Sequence, residues 1–129
     1  IENEVRKNAE NESVADSVVM LGKKDNPYPY IKACDIYVQP SRYEGKSITV
    51  REAQILCKPV VVTNYPTASS QIIHGVDGII VPMDIELCAD GIVSFIRDTT
   101  KRESVSTYLQ KHDYGNEKEI EKIIKLAKL

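Results

Sequence analysis

The sequence predicts an α/β fold, an open parallel sheet of about four strands with flanking helices. Four short apolar runs suit buried strands, and they lie at residues 18–21, 36–39, 59–63 and 79–81. Helical patterns alternate with these runs, which is typical of parallel strands joined by crossover helices. At 129 residues the chain is long enough for one core, so we expect a single domain over residues 1–129.

The helices follow from capping and periodicity. A charged, turn-free stretch predicts a solvated helix over 2–12, and Ser47 is a good N-cap for a helix that runs to about residue 57. Further helices are expected at 30–34, before residue 73, and at 85–98, 100–111 and 117–129. The last helix has Ile120, Ile123, Ile124 and Ala127 on one face. Its apolar face suits docking on a partner domain, and its lysines suit a solvated face.

Composition excludes several classes of function. A net charge of −2 and a pI near 5.7 argue against a nucleic-acid partner, which requires clustered positive charge. No apolar run approaches the roughly 20 residues that span a bilayer. The chain opens on Ile1, so either a leader has been removed or the chain is a piece of something longer. Three widely spaced cysteines, Cys34, Cys57 and Cys88, are expected to be buried and reduced.

Residues 40–53 carry the strongest functional signal. They place Glu44 and Glu52 on either side of a glycine-containing turn, between a strand and the helix capped by Ser47. The first turn of such a helix presents free N–H groups, which bind anions. Two carboxylates beside an anion site suit a phosphate joined to a hydroxyl-rich group. The alternative is that both glutamates are surface carboxylates and Ser47 is only a cap.

Four ordered segments add a family resemblance. Residues 35–45 read Asp-Ile-Tyr-Val-Gln-Pro-Ser-Arg-Tyr-Glu-Gly, followed by Glu-Ala at 52–53, Lys-Pro-Val-Val-Val-Thr at 58–63 and Gly-Val-Asp-Gly-Ile-Ile-Val-Pro at 75–82. Together they closely resemble the C-terminal, donor-binding domain of family-4 retaining glycosyltransferases (group 1, GT-B fold). The resemblance covers about residues 18–95, with C-terminal helices over about 100–129, and includes the Glu-x7-Glu motif at Glu44 and Glu52.

The resemblance implies roles for individual residues. Glu52 would bind the ribose of a nucleotide-sugar, and Glu44, as the catalytic residue, would contact the transferred sugar. The backbone of Gly45, Lys46, Ser47 and Ile48 would lie against the diphosphate. Val50 would lie near the ribose. Gly22 and Lys23 would lie near the base.

The parent enzyme would then transfer a hexose from a UDP- or GDP-linked donor to a glycan or lipid acceptor, as in polysaccharide biosynthesis. A nucleoside diphosphate is a good leaving group whose charge N–H groups and cations neutralise, so no metal and no cofactor are expected. The resemblance implies a cytoplasmic enzyme, peripheral on the inner membrane face, and an isolated fragment that is inactive. The alternative is a non-catalytic α/β module that binds a nucleotide or a protein. Two glutamates also suggest a retaining glycosidase, with carboxyl groups about 5–5.5 Å apart, but a ribose-binding glutamate argues against it.

The chain also departs from the family. The family often has Gly or Pro at Ser47, usually Gly at Cys57, and in many members Glu at Gln71. Two strand–helix units and the acceptor-binding N-terminal domain are missing, and the missing strands would lie between the first and second runs. The first strand would therefore dock differently, or an exposed sheet edge would permit a homodimer.

Overall fold

The structure is a computed structural model that describes residues 1–115 and 117–128. Three strands and seven helices follow one another along the described residues. They are α1 (Glu2–Asn11), α2 (Tyr28–Ala33), β1 (Tyr37–Gln39), α3 (Ile48–Ile55), β2 (Val60–Thr63), α4 (Ala68–Gln71), β3 (Ile79–Val81), α5 (Ile85–Arg97), α6 (Thr99–Lys111) and α7 (Glu117–Ala127).

The strands form an open parallel sheet in the order β1-β2-β3. Val61 is central in the register, since it pairs with Val38 of β1 and Ile79 of β3. All four residues of β2 are buried. This confirms that its run of valines belongs to a strand covered on both faces.

Alternation along β2 divides the core into two clusters. Val60 and Val62 pack on one face with apolar residues of α2, α3 and α4, while Val61 packs on the other with apolar residues of α5 and α6. Helices therefore cover both faces of the sheet. The α/β fold class predicted from the sequence is confirmed.

The predicted first strand, residues 18–21, is wrong. A short 3-10 turn over Ala15–Ser17 leads into Val18, whose backbone is extended, but residues 18–21 pair with no strand in the described part of the chain. Val19 is 76% exposed. A strand exists only when a neighbour accepts its hydrogen bonds, and an apolar run does not supply that neighbour. The sheet therefore has three strands where about four were expected.

Helix α7 packs against this chain itself. It contacts α2 and α3, and the Asn26 side-chain amide donates to the carbonyl of Leu126 at 2.9 Å. Ile123 and Ala127 are buried, whereas Ile124, predicted for the same face, is 38% exposed. The apolar stripe predicted from its periodicity thus covers the same face of the sheet as α3. The predicted last residue of the helix, Leu129, lies outside the described residues.

The three cysteines are half-buried, so their expected full burial is wrong. Cys57 also has φ of +59°, the left-handed conformation that favours glycine. Its N–H donates to the Gln54 carbonyl and the N–H of Lys58 to the Ala53 carbonyl, the Schellman pattern that ends α3. This explains why the resembled family usually has glycine at this position.

Candidate functional site

The loop between β1 and α3, residues 40–47, lies at the carboxyl edge of the sheet, as predicted. Ser47 is the N-cap of α3, and its hydroxyl accepts a hydrogen bond from the N–H of Val50 at 3.3 Å. Open parallel sheets bind ligands at this edge. The local sequence therefore places the start of α3 where a ligand can reach it.

Glu44 is held by two side chains that come just before it. Its Oε1 accepts hydrogen bonds from Gln39 Nε2 at 2.8 Å and from Ser41 Oγ at 2.7 Å. Gln39 is oriented in turn, because its Oε1 accepts from the Tyr37 hydroxyl at 2.7 Å. The carboxylate therefore has a defined orientation without any ligand.

Glu52 has a separate partner. It lies one turn inside α3, half-buried, and its Oε1 accepts a hydrogen bond from the hydroxyl of Tyr28 at 2.8 Å. Tyr28 begins α2, so this bond joins two helices on the same face of the sheet.

Tyr37 lies within electrostatic reach of both carboxylates. Burial raises the pKa of its hydroxyl, and the negative charges of Glu52 and Glu44 raise that pKa further. The hydroxyl donates to Gln39 Oε1, as described above. The two motif glutamates are thus neighbours of one tyrosine.

The loop carbonyls are bound by side chains that sequence reasoning missed. Thr67 Oγ1 donates to the carbonyls of Glu44 at 2.7 Å and Gly45 at 3.0 Å. Gln71 Nε2 donates to the carbonyl of Ser47 at 2.6 Å, and Thr63 Oγ1 donates to the carbonyl of Ser41. These partners lie 22 to 24 residues apart. No local pattern signals such contacts; the resemblance marked Gln71 only as a departure.

A cleft of about 830 Å³ runs along α3. It is lined by residues of α3 and its N-terminal loop, of α4 and the turn after it, and of the chain from the end of α6 into α7. These include Lys46, Ser47, Ile48, Arg51, Glu52, Ser69, Ser70, Gln71, Asp77, Tyr108, His112 and Tyr114. The cleft offers two cations, Lys46 and Arg51, several hydroxyls, and three carboxylates, Glu52, Asp77 and Asp113, which suits a polar ligand that carries hydroxyl groups as well as negative charge.

The predicted site residues do not all meet in this cleft. Lys46, Ser47, Ile48 and Glu52 line it, whereas Glu44 and Gly45 do not. Gly22 and Lys23 lie on an exposed turn, where Gly22 has φ of +67°. The resemblance places Val50 beside the ribose, whereas its side chain is fully buried in the core.

The described residues show neither a metal site nor a membrane-spanning helix. Among residues 1–115 and 117–128, no three His, Cys, Asp or Glu side chains cluster in a way that would hold a metal ion. None of the helices described is long and apolar enough to cross a membrane.

The fold and the site define the class: a Rossmann-like α/β chain with one oriented glutamate in the loop at the carboxyl edge of its sheet and a second in the helix that follows. Residues 2–112 match the family model described as "Glycosyl transferases group 1". The chain therefore belongs to the group 1 glycosyltransferase family.

Curated relatives agree with this family. The chain is 27% identical over 108 residues to the lipopolysaccharide core biosynthesis mannosyltransferase LpsB of Rhizobium meliloti, with 81% of this chain and 31% of LpsB covered. It is 30% identical over 90 residues to the capsular polysaccharide biosynthesis glycosyltransferase CapM of Staphylococcus aureus, with 69% of this chain and 24% of CapM covered.

Solved structures share the fold. HepE of Anabaena, determined in complex with UDP, superposes with a TM-score of 0.77 at 21% identity, covering 98% of this chain and 34% of HepE. Sucrose-phosphate synthase of Thermosynechococcus elongatus superposes with a TM-score of 0.73 at 20% identity, covering 98% of this chain and 32% of that one. The chain thus spans about a third or less of the length of each of these four proteins.

Proposed function

We propose that this chain holds part of the donor site of a retaining hexosyltransferase, a family-4 enzyme of the GT-B fold. The donor is a UDP- or GDP-linked hexose, and the acceptor is a glycan or a lipid. The observation that carries the proposal is the pair of hydrogen-bonded glutamates, Glu44 and Glu52. Between them lie three exposed residues, Gly45, Lys46 and Ile48. The UDP in HepE, which shares the fold, supports a nucleotide-linked donor.

Each glutamate has its own task in this proposal. Glu52 accepts a hydrogen bond from a ribose hydroxyl. Its carboxylate is already oriented by the hydroxyl of Tyr28. Glu44 contacts the transferred sugar through a carboxylate already oriented by Gln39 and Ser41. Orientation before binding lowers the entropy that the transition-state complex has to lose.

The diphosphate lies against the backbone between the two glutamates. The start of α3 and the loop before it supply N–H groups, and Lys46 supplies a positive charge. Groups fixed around a developing negative charge stabilise a departing nucleoside diphosphate. In this proposal the N–H groups and Lys46 take the place of a divalent metal. Gly22 and Lys23 contact the base through their backbone.

The acceptor is bound outside this chain in the proposal. Because the chain covers 31% of LpsB and 24% of CapM, most of each relative lies beyond the matched part. We also propose that the enzyme lies on the inner membrane face, where it would reach lipid-linked acceptors. A homodimer through the sheet edge is a further part of the proposal.

The test is calorimetric titration of the full-length natural protein in which the chain occurs, with UDP- and GDP-sugars. We expect one donor to bind, and Glu52→Ala to weaken it by about tenfold or more, since a hydrogen bond to a charged group contributes about 1.5–3 kcal/mol. Glu86→Ala, an exposed glutamate of α5, is the matched control and leaves the affinity unchanged. Tight binding unaffected by both Glu44→Ala and Glu52→Ala would overturn the proposed site. Absence of any donor binding would favour the non-catalytic module.

A further inference from the structure

Side chains from one segment bind the carbonyl groups of the candidate loop from one side. This segment, the β2–α4 segment of residues 63–71, contributes Thr63, Thr67 and Gln71. Thr67 binds two consecutive carbonyls with one hydroxyl, and Gln71 binds the carbonyl of the N-cap residue Ser47. Four carbonyls of a seven-residue stretch, 41–47, are thereby held toward the same segment.

Peptide geometry then determines where the loop amides point. Every described peptide bond is trans. In a planar trans peptide the C=O and the following N–H point in opposite directions. Holding the carbonyls of Glu44 and Gly45 against Thr67 therefore turns the N–H groups of Gly45 and Lys46 away from it. In the same way, Gln71 fixes the direction of the N–H of Ile48, the first residue of α3.

These amides are free for a ligand. Within residues 1–115 and 117–128 the N–H groups of Gly45, Lys46 and Ile48 donate to no protein acceptor, and all three residues are exposed. Gln71 lines the cleft along α3 and is only 5% exposed, so burial as well as its bond to the Ser47 carbonyl fixes its side chain beside these amides.

We propose that Thr67 and Gln71 are positioning residues, which hold the N–H groups of Gly45, Lys46 and Ile48 as a preformed site for the diphosphate of the donor. This inference rests on the proposed function and adds residues outside the Glu-x7-Glu motif. Without the two side chains the loop peptides would be free to rotate, and binding would have to order them. Thr67 and Gln71 therefore act on the phosphates and not on the nucleoside.

The experiment compares a nucleoside diphosphate with its nucleoside on the full-length protein. UDP and uridine are titrated, together with GDP and guanosine, against wild type, Thr67→Val and Thr67→Ser. Valine keeps the shape of threonine and removes the donor, whereas serine keeps the donor. We expect Thr67→Val to weaken the diphosphate about tenfold and the nucleoside by less than about twofold, with Thr67→Ser close to wild type.

The results separate the two proposals. If wild type binds neither diphosphate, the proposed function itself fails. If wild type binds one and Thr67→Val weakens diphosphate and nucleoside equally, or neither, Thr67 does not position the phosphate site. Should Thr67→Val not fold, Gln71→Met is the second variant, and we expect the same selective loss. If neither variant folds, the two side chains serve folding and the inference is wrong.

Discussion

At the scale of single residues, the site depends on side chains that orient other side chains. Glu44 and Glu52 do not project freely into solvent, because Gln39, Ser41 and Tyr28 bind one oxygen of each carboxylate. Within residues 1–115 and 117–128, the second oxygen of each accepts no hydrogen bond. Most of the chemistry of this site is therefore set by neighbours that the motif itself does not include.

Tyr28 gives a direct test of this orientation. Replacing it with phenylalanine removes the hydroxyl that donates to Glu52 and leaves the ring in place. We expect Tyr28→Phe to weaken nucleotide binding about three- to tenfold, the value of one hydrogen bond of about 1 kcal/mol. Calorimetry measures the affinity, and Glu86→Ala, at an exposed residue of α5, is the control. Equal affinities of Tyr28→Phe and wild type would show that Glu52 needs no such partner.

The hydrogen bond between Tyr114 and Asp77 makes the free energy of unfolding depend on pH. The hydroxyl of Tyr114 donates to Oδ2 of the buried Asp77 at 2.9 Å, and burial, followed by this bond and the charge of Asp77, raises the pKa of Tyr114 well above its usual 10.0. Above about pH 10 the unfolded chain loses this proton and the folded chain keeps it, so the contribution of Tyr114 falls as pH rises. At neutral pH, Tyr114→Phe should cost about 1–3 kcal/mol, because Asp77 loses a donor.

Urea unfolding of wild type and Tyr114→Phe at about pH 7 to 11 measures this dependence. The stability difference between the two proteins should shrink as the pH passes about 10. A difference that stays constant up to about pH 11 would contradict the raised pKa. Tyr43→Phe, at a side chain that is 84% exposed, is the control for stability.

At the scale of elements, close packing decides where small residues are required. Gly91 lies in α5 against β3, and a Cβ added there would come within 2.6 Å of Val81 Cγ1. The glycine costs about 1 kcal/mol in helix propensity, but it lets the helix approach the sheet.

We expect Gly91→Ala to destabilise the protein by about 1 kcal/mol, because overpacking costs about 1–3 kcal/mol and exceeds the gain in helix propensity. Ser94→Ala, an exposed position of the same helix, should be neutral or slightly stabilising. Thermal unfolding of both variants measures the effect. A Gly91→Ala protein more stable than wild type would show that α5 moves away from β3 without cost.

Elements with local signals were predictable, and elements that need distant partners were not. Val60 to Val62, Ile79 to Val81 and the cap Ser47 each carry their own pattern, and the structure confirms the two strands and the helix start. Residues 18–21 have an equally apolar pattern, but a strand requires a neighbour, and none pairs with them in the part described. The same reason explains why Thr67 was missed: its role depends on carbonyls 22 and 23 residues away.

At the scale of the whole molecule, two layers of helices on a three-stranded sheet bring the motif together. Helices α2, α3 and α7 pack on one face of the sheet. The hydrogen bond from Tyr28 to Glu52 and the cleft along α3 therefore lie on that side. The other face, covered by α5 and α6, supports the sheet. The loop of residues 40–47 lies at the carboxyl edge between these layers.

The central claim is that Glu44, Glu52 and the loop between them bind a nucleotide-linked sugar. A crystal structure of the full-length protein with bound UDP or GDP tests it most directly. We expect diphosphate oxygens within roughly 2.7–3.2 Å of the backbone nitrogens of Gly45, Lys46 or Ile48, and a ribose hydroxyl at the same distance from Glu52. A nucleotide bound elsewhere on the protein, with Glu52 still paired only to Tyr28, would contradict the account.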